Sequence, residues 1–520
     1  GMRCSEAPEV NLNAAPYLAA NFVPGGIFSP TCNDNFVEWN FGDQRVTNGT
    51  VGNRYDFEIG FIARVENNAG TNDADVLSNG DPATIATASY IDESGNTVVL
   101  TFGQLDVLVQ EPLIDLTKAF AVAAADAGDI LTVTVTATNT GTATAYNLRV
   151  LDDLTGRNMT FTGTVGGSNP PGTIDTTTLG ANRPIFSWNP PIGIDAGDSI
   201  SFTFDVRVDT VVQPLEVLDN TIQADWTSLP SRATALNSTG QIGANGSEIG
   251  MRIGALPNAG DTINDYETNA ENQAAVPAVT LTKTDIDPAL IPTIGVHKSF
   301  QVDIRLPEGT TQGLLVTDSL NTAGISYFLE NNASYDITYS FQGIATINGA
   351  VPNESAFTAF PVDNTSGSAV WNIGTVVTQT ENDPTQSAIA PLIRIEYFAR
   401  VNNDLVTDNG DALQNSVVVN YSHGETGAQE ALTDTTTPVT VVESALSVTK
   451  TMSNITSPGN PAGGGDVLEY VIVGLNSGTA TAHDVNLVDT LPAELTLEPG
   501  FTPTAIINGV SVAGFVATPA

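Results

Sequence analysis

Between positions 130 and 139 the chain alternates without a break. Leu131, Val133, Val135 and Ala137 are apolar, and Thr132, Thr134, Thr136 and Thr138 lie between them. Period-two alternation on β-branched residues predicts a strand with one face in a core and the other near water. The pattern returns at Phe300, Val302, Ile304 and Leu306, and again after Gly465-Asp466. Gly, Pro, Asn and Asp punctuate the runs, and no segment holds a helical period beyond a turn or two. The prediction is an all-β chain, a tandem array of Ig-like antiparallel β-sandwich domains.

The strands recur in register. Leu116-Thr117-Lys118, Leu281-Thr282-Lys283 and Val448-Thr449-Lys450 open three segments, their lysines spaced by 165 and 167 residues. Ala127-Gly128-Asp129 and Gly465-Asp466 precede the alternating strands, and His297-Lys298 is expected at that place in the looser third copy. Asn139-Thr140-Gly141-Thr142-Ala143-Thr144-Ala145 and Asn476-Ser477-Gly478-Thr479-Ala480-Thr481-Ala482 close them. Further on, Trp39, Trp188 and Trp371 each precede a Gly-containing loop, followed by strands ending in Arg64, Arg207 and Arg400 and then by Asn79, Asn220 and Asn415. The tryptophans are expected as core anchors and the arginines as pins on a carboxylate or loop carbonyl.

The chain thus reads as the C-terminal half of a repeat (1–112), a complete repeat with an insertion near 228–277 (113–277), a complete, more divergent repeat (278–444) and the N-terminal half of another (445–520). The insertion shows in the spacing: 63 residues from Asn220 to Lys283 against 35 from Asn415 to Lys450. Residues 250–252 and 263–266 are expected to form an ordered surface loop. The two half-repeats either belong to a longer array or complement each other between chains in a head-to-tail fibre.

Composition narrows the function. With 17 Lys+Arg against 58 Asp+Glu the formal charge is −41, which disfavours nucleic acid and anionic lipid as partners. No apolar run is long enough for a membrane span. Cys4 and Cys32 are the only cysteines; they form one local disulfide or stay as two buried thiols.

The series Leu-Thr-Lys, Gly-Asp, alternating strand, Asn-Thr-Gly-Thr-Ala-Thr-Ala and the Asp489-containing exit to Leu491-Pro492 resembles a repeat family of large bacterial and archaeal envelope proteins. It is the family catalogued as the eleventh domain of unknown function, related to isopeptide-forming fimbrial and adhesin domains. Membership implies an extracellular β-sandwich at the cell surface, in a stalk, fibre, adhesin or surface layer.

Only four lysines occur: Lys118, Lys283, Lys298 and Lys450. Three share one repeat position, on the first strand of a unit. A covalent reading joins such a lysine to a last-strand asparagine through an isopeptide bond, helped by a buried carboxylic acid. Burial supplies the neutral amine and the protonated acid, since desolvation lowers a lysine and raises an aspartate. The candidates are Lys118, Asp152 and Asn220; Lys283, Asp318 and Asn415; and Lys450 with Asp489. The alternatives are a semi-buried ion pair, or a sheet-edge lysine that discourages strand pairing.

Calcium is a further candidate ligand, held by Asp73, Asp75 and Asp81 with Asn67 and Asn72, or by Asp404, Asp408 and Asp411 with Asn402 and Asn403. Solvated acidic turns are the alternative. No other cofactor is expected. The three histidines fall in different units, and no nucleophile elbow, phosphate loop, metalloprotease motif or Cys-x-x-Cys occurs. The expectation is a structural protein rather than an enzyme, partnered by copies of itself or other envelope proteins. The alternative is an adhesin whose loops take a glycan or another cell surface.

Overall fold

The computed structural model describes residues 71–79, 86–169, 173–230, 251–257, 265–322, 325–380, 390–403 and 407–512, together with short strands between 10 and 46, residues 39–42 and Val65. The described residues form strands and turns, with one 3₁₀ turn at Glu354–Ala356 and no α-helix among them. Two compact bodies divide at Pro277 and Ala278.

In the first body, the Lys118 strand (Ile114–Phe120) pairs antiparallel with Ile130–Asn139, which pairs with Ser199–Val208 and through it with Met159–Asn169. The facing sheet runs Thr173–Thr178, Pro184–Asn189, Ala145–Asp152, Val217–Thr227, Glu267–Ala275. The alternation read from 130–139 is realised residue by residue: Leu131, Val133, Val135 and Ala137 are buried and the threonines between them are half-buried. Phe186, Trp188, Val150, Leu218 and Ile222 face them across the sandwich, and Phe202 and Phe204 lie beside them on the neighbouring strand of their own sheet. Each such buried aliphatic or aromatic side chain contributes about 1.5–3 kcal/mol.

The second body repeats this plan. Thr280–Asp285, His297–Arg305 and Leu392–Val401 lie in one sheet; Ser368–Thr378, Thr310–Ser319, Ser416–Ser422 and Gln429–Thr435 lie in the other. Trp188 and Trp371 are buried, as expected of core anchors. The fold is all-β, with paired antiparallel sheets.

The Asn-Thr-Gly turn has a physical reason. Asn139 is buried; its Nδ2 donates to the carbonyls of Ala143 and Ile194, and its Oδ1 accepts from the amides of Leu113 and Gly141. A Cβ on Gly141 would stand 2.3 Å from the Leu113 nitrogen, so only glycine fits against the incoming chain. Asn476 and Gly478 reproduce the arrangement.

Four expectations need correction. Gly295 and Val296, not His297 and Lys298, occupy the Gly-Asp position: the Gly295 amide donates to Val401 as that of Gly128 does to Val208. His297 and Lys298 already belong to the strand, and Lys298 stands where Leu131 stands in the second repeat. The asparagines are not on the last strands, because Glu267–Ala275 and Gln429–Thr435 each add one more beyond them. The ordered part of the insertion does not stay at the surface; Met251, Arg252, Ile253 and Tyr266 are buried. Arg400 does pin Glu330 at 2.9 Å, but Arg207 is exposed. Arg64 and 231–250 lie outside the described residues.

Candidate functional site

The second repeat brings Lys118, Asp152 and Asn220 together in the core. Lys118 comes from one sheet, and Asp152 and Asn220 from adjacent strands of the other. The side chains of Lys118 and Asp152 have no solvent exposure, and Asn220 is fully buried. Asn220 Nδ2 donates to Asp152 Oδ2 at 3.1 Å. Lys118 Nζ lies 3.7 Å from Asp152 Oδ1, too far for a hydrogen bond. Lys118 Nζ, Asp152 Oδ1 and Asn220 Oδ1 therefore have no hydrogen-bond partner. Each such buried polar atom costs about 1–3 kcal/mol, and three in one cluster are an arrangement that calls for a chemical reason.

The electrostatics follow from burial. Desolvation brings Lys118 down to about 8, against the opposing pull of Asp152. Burial likewise raises the Asp152 carboxyl, opposed by the Lys118 charge. A proton shared from ammonium to carboxylate leaves a neutral amine, a carboxylic acid and a carboxamide in one dry pocket. These are the ingredients of acyl transfer from asparagine to lysine.

The third repeat assembles Lys283, Asp318 and Asn415 differently. Both charged side chains are again without solvent exposure, and Lys283 Nζ makes a direct hydrogen bond to Asp318 Oδ2. Tyr397, fully buried, stands among the three. Lys283 Nζ donates to its hydroxyl at 2.7 Å, Asn415 Nδ2 donates to it at 2.9 Å, and the hydroxyl donates to Asp318 Oδ2 at 2.6 Å. Burial lowers Lys283, opposed by Asp318. Burial, with Asp318 beside it, raises the Tyr397 hydroxyl well above 10. Sequence reading missed Tyr397, although it sits three residues before Arg400 as Phe204 sits three before Arg207.

In the fourth repeat Lys450 and Asp489 are 2.7 Å apart, but their side chains are 38% and 32% exposed. Asn79 of the first repeat is exposed. The remaining lysine, Lys298, is fully buried and satisfied: it pairs with Asp285 at 2.8 Å and donates to the Asp287 carbonyl at 2.6 Å. It fixes a loop in place of the apolar contact that Leu131 makes.

The acidic loops proposed for calcium are tight turns. Asp75 Oδ2 accepts the Asn72 amide at 2.6 Å, and Asp411 Oδ2 accepts the Asp408 amide at 2.8 Å. Asp73 exchanges hydrogen bonds with Glu111: its amide donates to the Glu111 carboxylate at 3.1 Å, and its Oδ1 accepts the Glu111 amide at 2.9 Å. Its Oδ1 also accepts from the Thr142 hydroxyl. Asn409, Glu443 and Thr479 repeat this clasp at 3.0, 3.1 and 2.8 Å. In the first copy the insertion adds to it, since Arg252 pairs with Glu111 and donates to the Thr71 carbonyl at 2.9 Å. Among the described residues no group of three or more His, Cys, Asp or Glu is placed to hold a metal. Asp81, Asp404, Asn67 and Cys4 lie outside the described residues, as does the side chain of Cys32. Among the described residues no helix is long and apolar enough to cross a membrane.

No family model matches the chain, that of the envelope repeat family included, and no curated protein matches it. Similar solved structures include BcpA, the major pilin subunit of Bacillus cereus, with 12% identity, 69% of this chain and 85% of that chain covered, and a TM-score of 0.22. The collagen adhesin CNA from S. aureus covers 64% of this chain and 95% of its own at 13% identity and a TM-score of 0.19. The full-length major pilin SpaD from Corynebacterium diphtheriae covers 62% and 65% at 13% identity, also at 0.19. At such TM-scores the side-chain clusters themselves must carry any functional reading.

Proposed function

We propose that this chain is a load-bearing part of an extracellular stalk, filament or surface layer, and that its second repeat staples itself with a Lys118–Asn220 isopeptide bond. The neutral Lys118 amine attacks Asn220 Cγ while the Asp152 acid polarises the amide. The Nζ–Cγ bond forms, the Cγ–Nδ2 bond breaks, and Asp152 passes a proton from Nζ to the leaving nitrogen, which departs as ammonia. Asp152 ends as it began, so the reaction needs no cofactor and happens once per molecule. The product ties one sheet of the sandwich to the other.

The observation that carries this reading is the Lys118 amine: fully buried, without a hydrogen bond, beside a carboxyl group whose other oxygen holds the Asn220 amide. The acidic, lysine-poor composition suits an exposed surface array whose partners are copies of itself or other envelope proteins.

Intact mass with tryptic mapping tests the chemistry. The stapled chain is one ammonia lighter than its sequence, resists cleavage at Lys118, and yields a branched peptide joining Lys118 to Asn220. An unshifted mass with ordinary cleavage at Lys118 overturns the reading.

A further inference from the structure

The Lys118 and Lys283 clusters sit at equivalent places in the two sandwiches. Lys118 lies opposite Val135 and Phe202 in sheet register, and Lys283 opposite Val302 and Ile395. Two residues along, Phe204 therefore corresponds to Tyr397. Both are buried. Phe204 spends its ring on the core, stacked on Phe186 with centroids 4.7 Å apart. Tyr397 carries one additional oxygen, and all three members of the Lys283 cluster bond to it.

We propose that the Tyr397 hydroxyl keeps Lys283 and Asn415 from joining, so that the third repeat is held by a permanent hydrogen-bonded pin while the second, with Phe204 at that position, closes its covalent bond. The inference rests on the stapling reading of the second repeat and assigns Tyr397 as the residue that decides which repeat is stapled.

The chemistry supports that assignment at each step. In the second repeat the amide that must leave is bonded to the acid itself, Asn220 to Asp152. In the third, Asn415 Nδ2 donates to the phenol, and the phenol donates a hydrogen bond to Asp318. The phenol thus stands between the amide and the acid, which in the second repeat are bonded directly. Asp318 Oδ2 accepts from both Tyr397 and Lys283, and the Asn415 amide donates to the phenol where Asn220 donates to its acid. The Lys283 nitrogen donates to two oxygen acceptors, contacts that favour its protonated form, which has no lone pair to attack with. The unpaired amine of the second repeat has no counterpart here.

The test is tryptic mapping and intact mass of three proteins: the native chain, Tyr397→Phe and Phe204→Tyr. The native chain is expected to lose one ammonia, at Lys118–Asn220 alone, with Lys283 open to trypsin after unfolding. Tyr397→Phe is expected to lose a second ammonia and to give a Lys283–Asn415 branched peptide. Phe204→Tyr brings the hydroxyl into the second repeat and is expected to leave Lys118 uncoupled in a chain that still melts cooperatively. If the native chain is crosslinked in both repeats, the inference falls and stapling stands. The inference also falls, with stapling intact, if Lys118 is coupled in all three proteins while Lys283 stays free in Tyr397→Phe. If no protein loses ammonia, stapling fails and takes the inference with it.

Discussion

The second and third repeats use the same three residue types at the same places and leave them in different states. In the second, the lysine amine is unpaired and the amide rests on the acid. In the third, a phenol joins amine, acid and amide into a network in which the amine is satisfied. Both clusters leave one oxygen of the acid and the amide oxygen without a partner; the amine separates them, unmet in the second repeat and met in the third, where the network is the more rigid for it. Composition places the reactants, but a single neighbouring oxygen decides what they do.

The largest way to sharpen this contrast is to remove the amide that the second repeat needs. Asn220→Ala leaves Lys118 uncoupled. Crosslinks closing a loop of about 100 residues contribute roughly 5 kcal/mol on the chain-entropy model. Calorimetry should show the second repeat melting about 10–20 °C lower at that magnitude. Asn415→Ala should move the third repeat far less, because no covalent bond is lost there. Equal shifts would erase the distinction between the repeats.

Next in size is loss of the acid from the third repeat. Asp318→Ala leaves the buried Lys283 charge without its carboxylate, a change of about 3–5 kcal/mol in comparable pairs. Urea unfolding of the third repeat should report it.

A smaller, signed effect concerns pH. In the uncoupled Asn220→Ala chain, Lys118 holds its proton to 10.5 when unfolded but gives it up near 8 when folded. Between those values the unfolded form binds more protons, so raising the pH through this window should stabilise the fold. Asn220→Ala with Lys118→Met should lose that rise. The urea midpoint measured at intervals across the window checks it, and an identical slope in both variants would count against a buried Lys118 charge.

The smallest expected change is at the clasp. Glu111→Gln keeps the backbone turn but weakens the pairing with Arg252 and the Asp73 amide. About 1–2 kcal/mol is expected from hydrogen bonds to a charged group, read as faster amide exchange at Asp73 and Thr142.

Much of this was legible in the sequence, for physical reasons that differ by residue. Alternation at 131–137 fixes a strand because period two is how a pleated sheet sorts its faces. The scarcity of lysine made Lys118 and Lys283 conspicuous, and repeat register supplied Asp152, Asn220, Asp318 and Asn415. Tyr397 was not legible as a site residue because aromatic side chains are common on core strands, and the sequence does not say where a hydroxyl points. The clasp of Asp73, Glu111 and Thr142 joins residues far apart in sequence, with no spacing to betray it. Lys298 was misplaced because the third repeat shifts its turn to Gly295 and Val296, and the histidine-lysine pair then falls on the strand.

Unfolding the single chain under force tests the central claim most directly. The account predicts that the third repeat extends fully while residues 118–220 of the second stay closed, withholding about 340 Å of extended chain at 3.3–3.6 Å per residue. In Asn220→Ala that length should appear. Release of the full length of both repeats in the native chain would contradict the account.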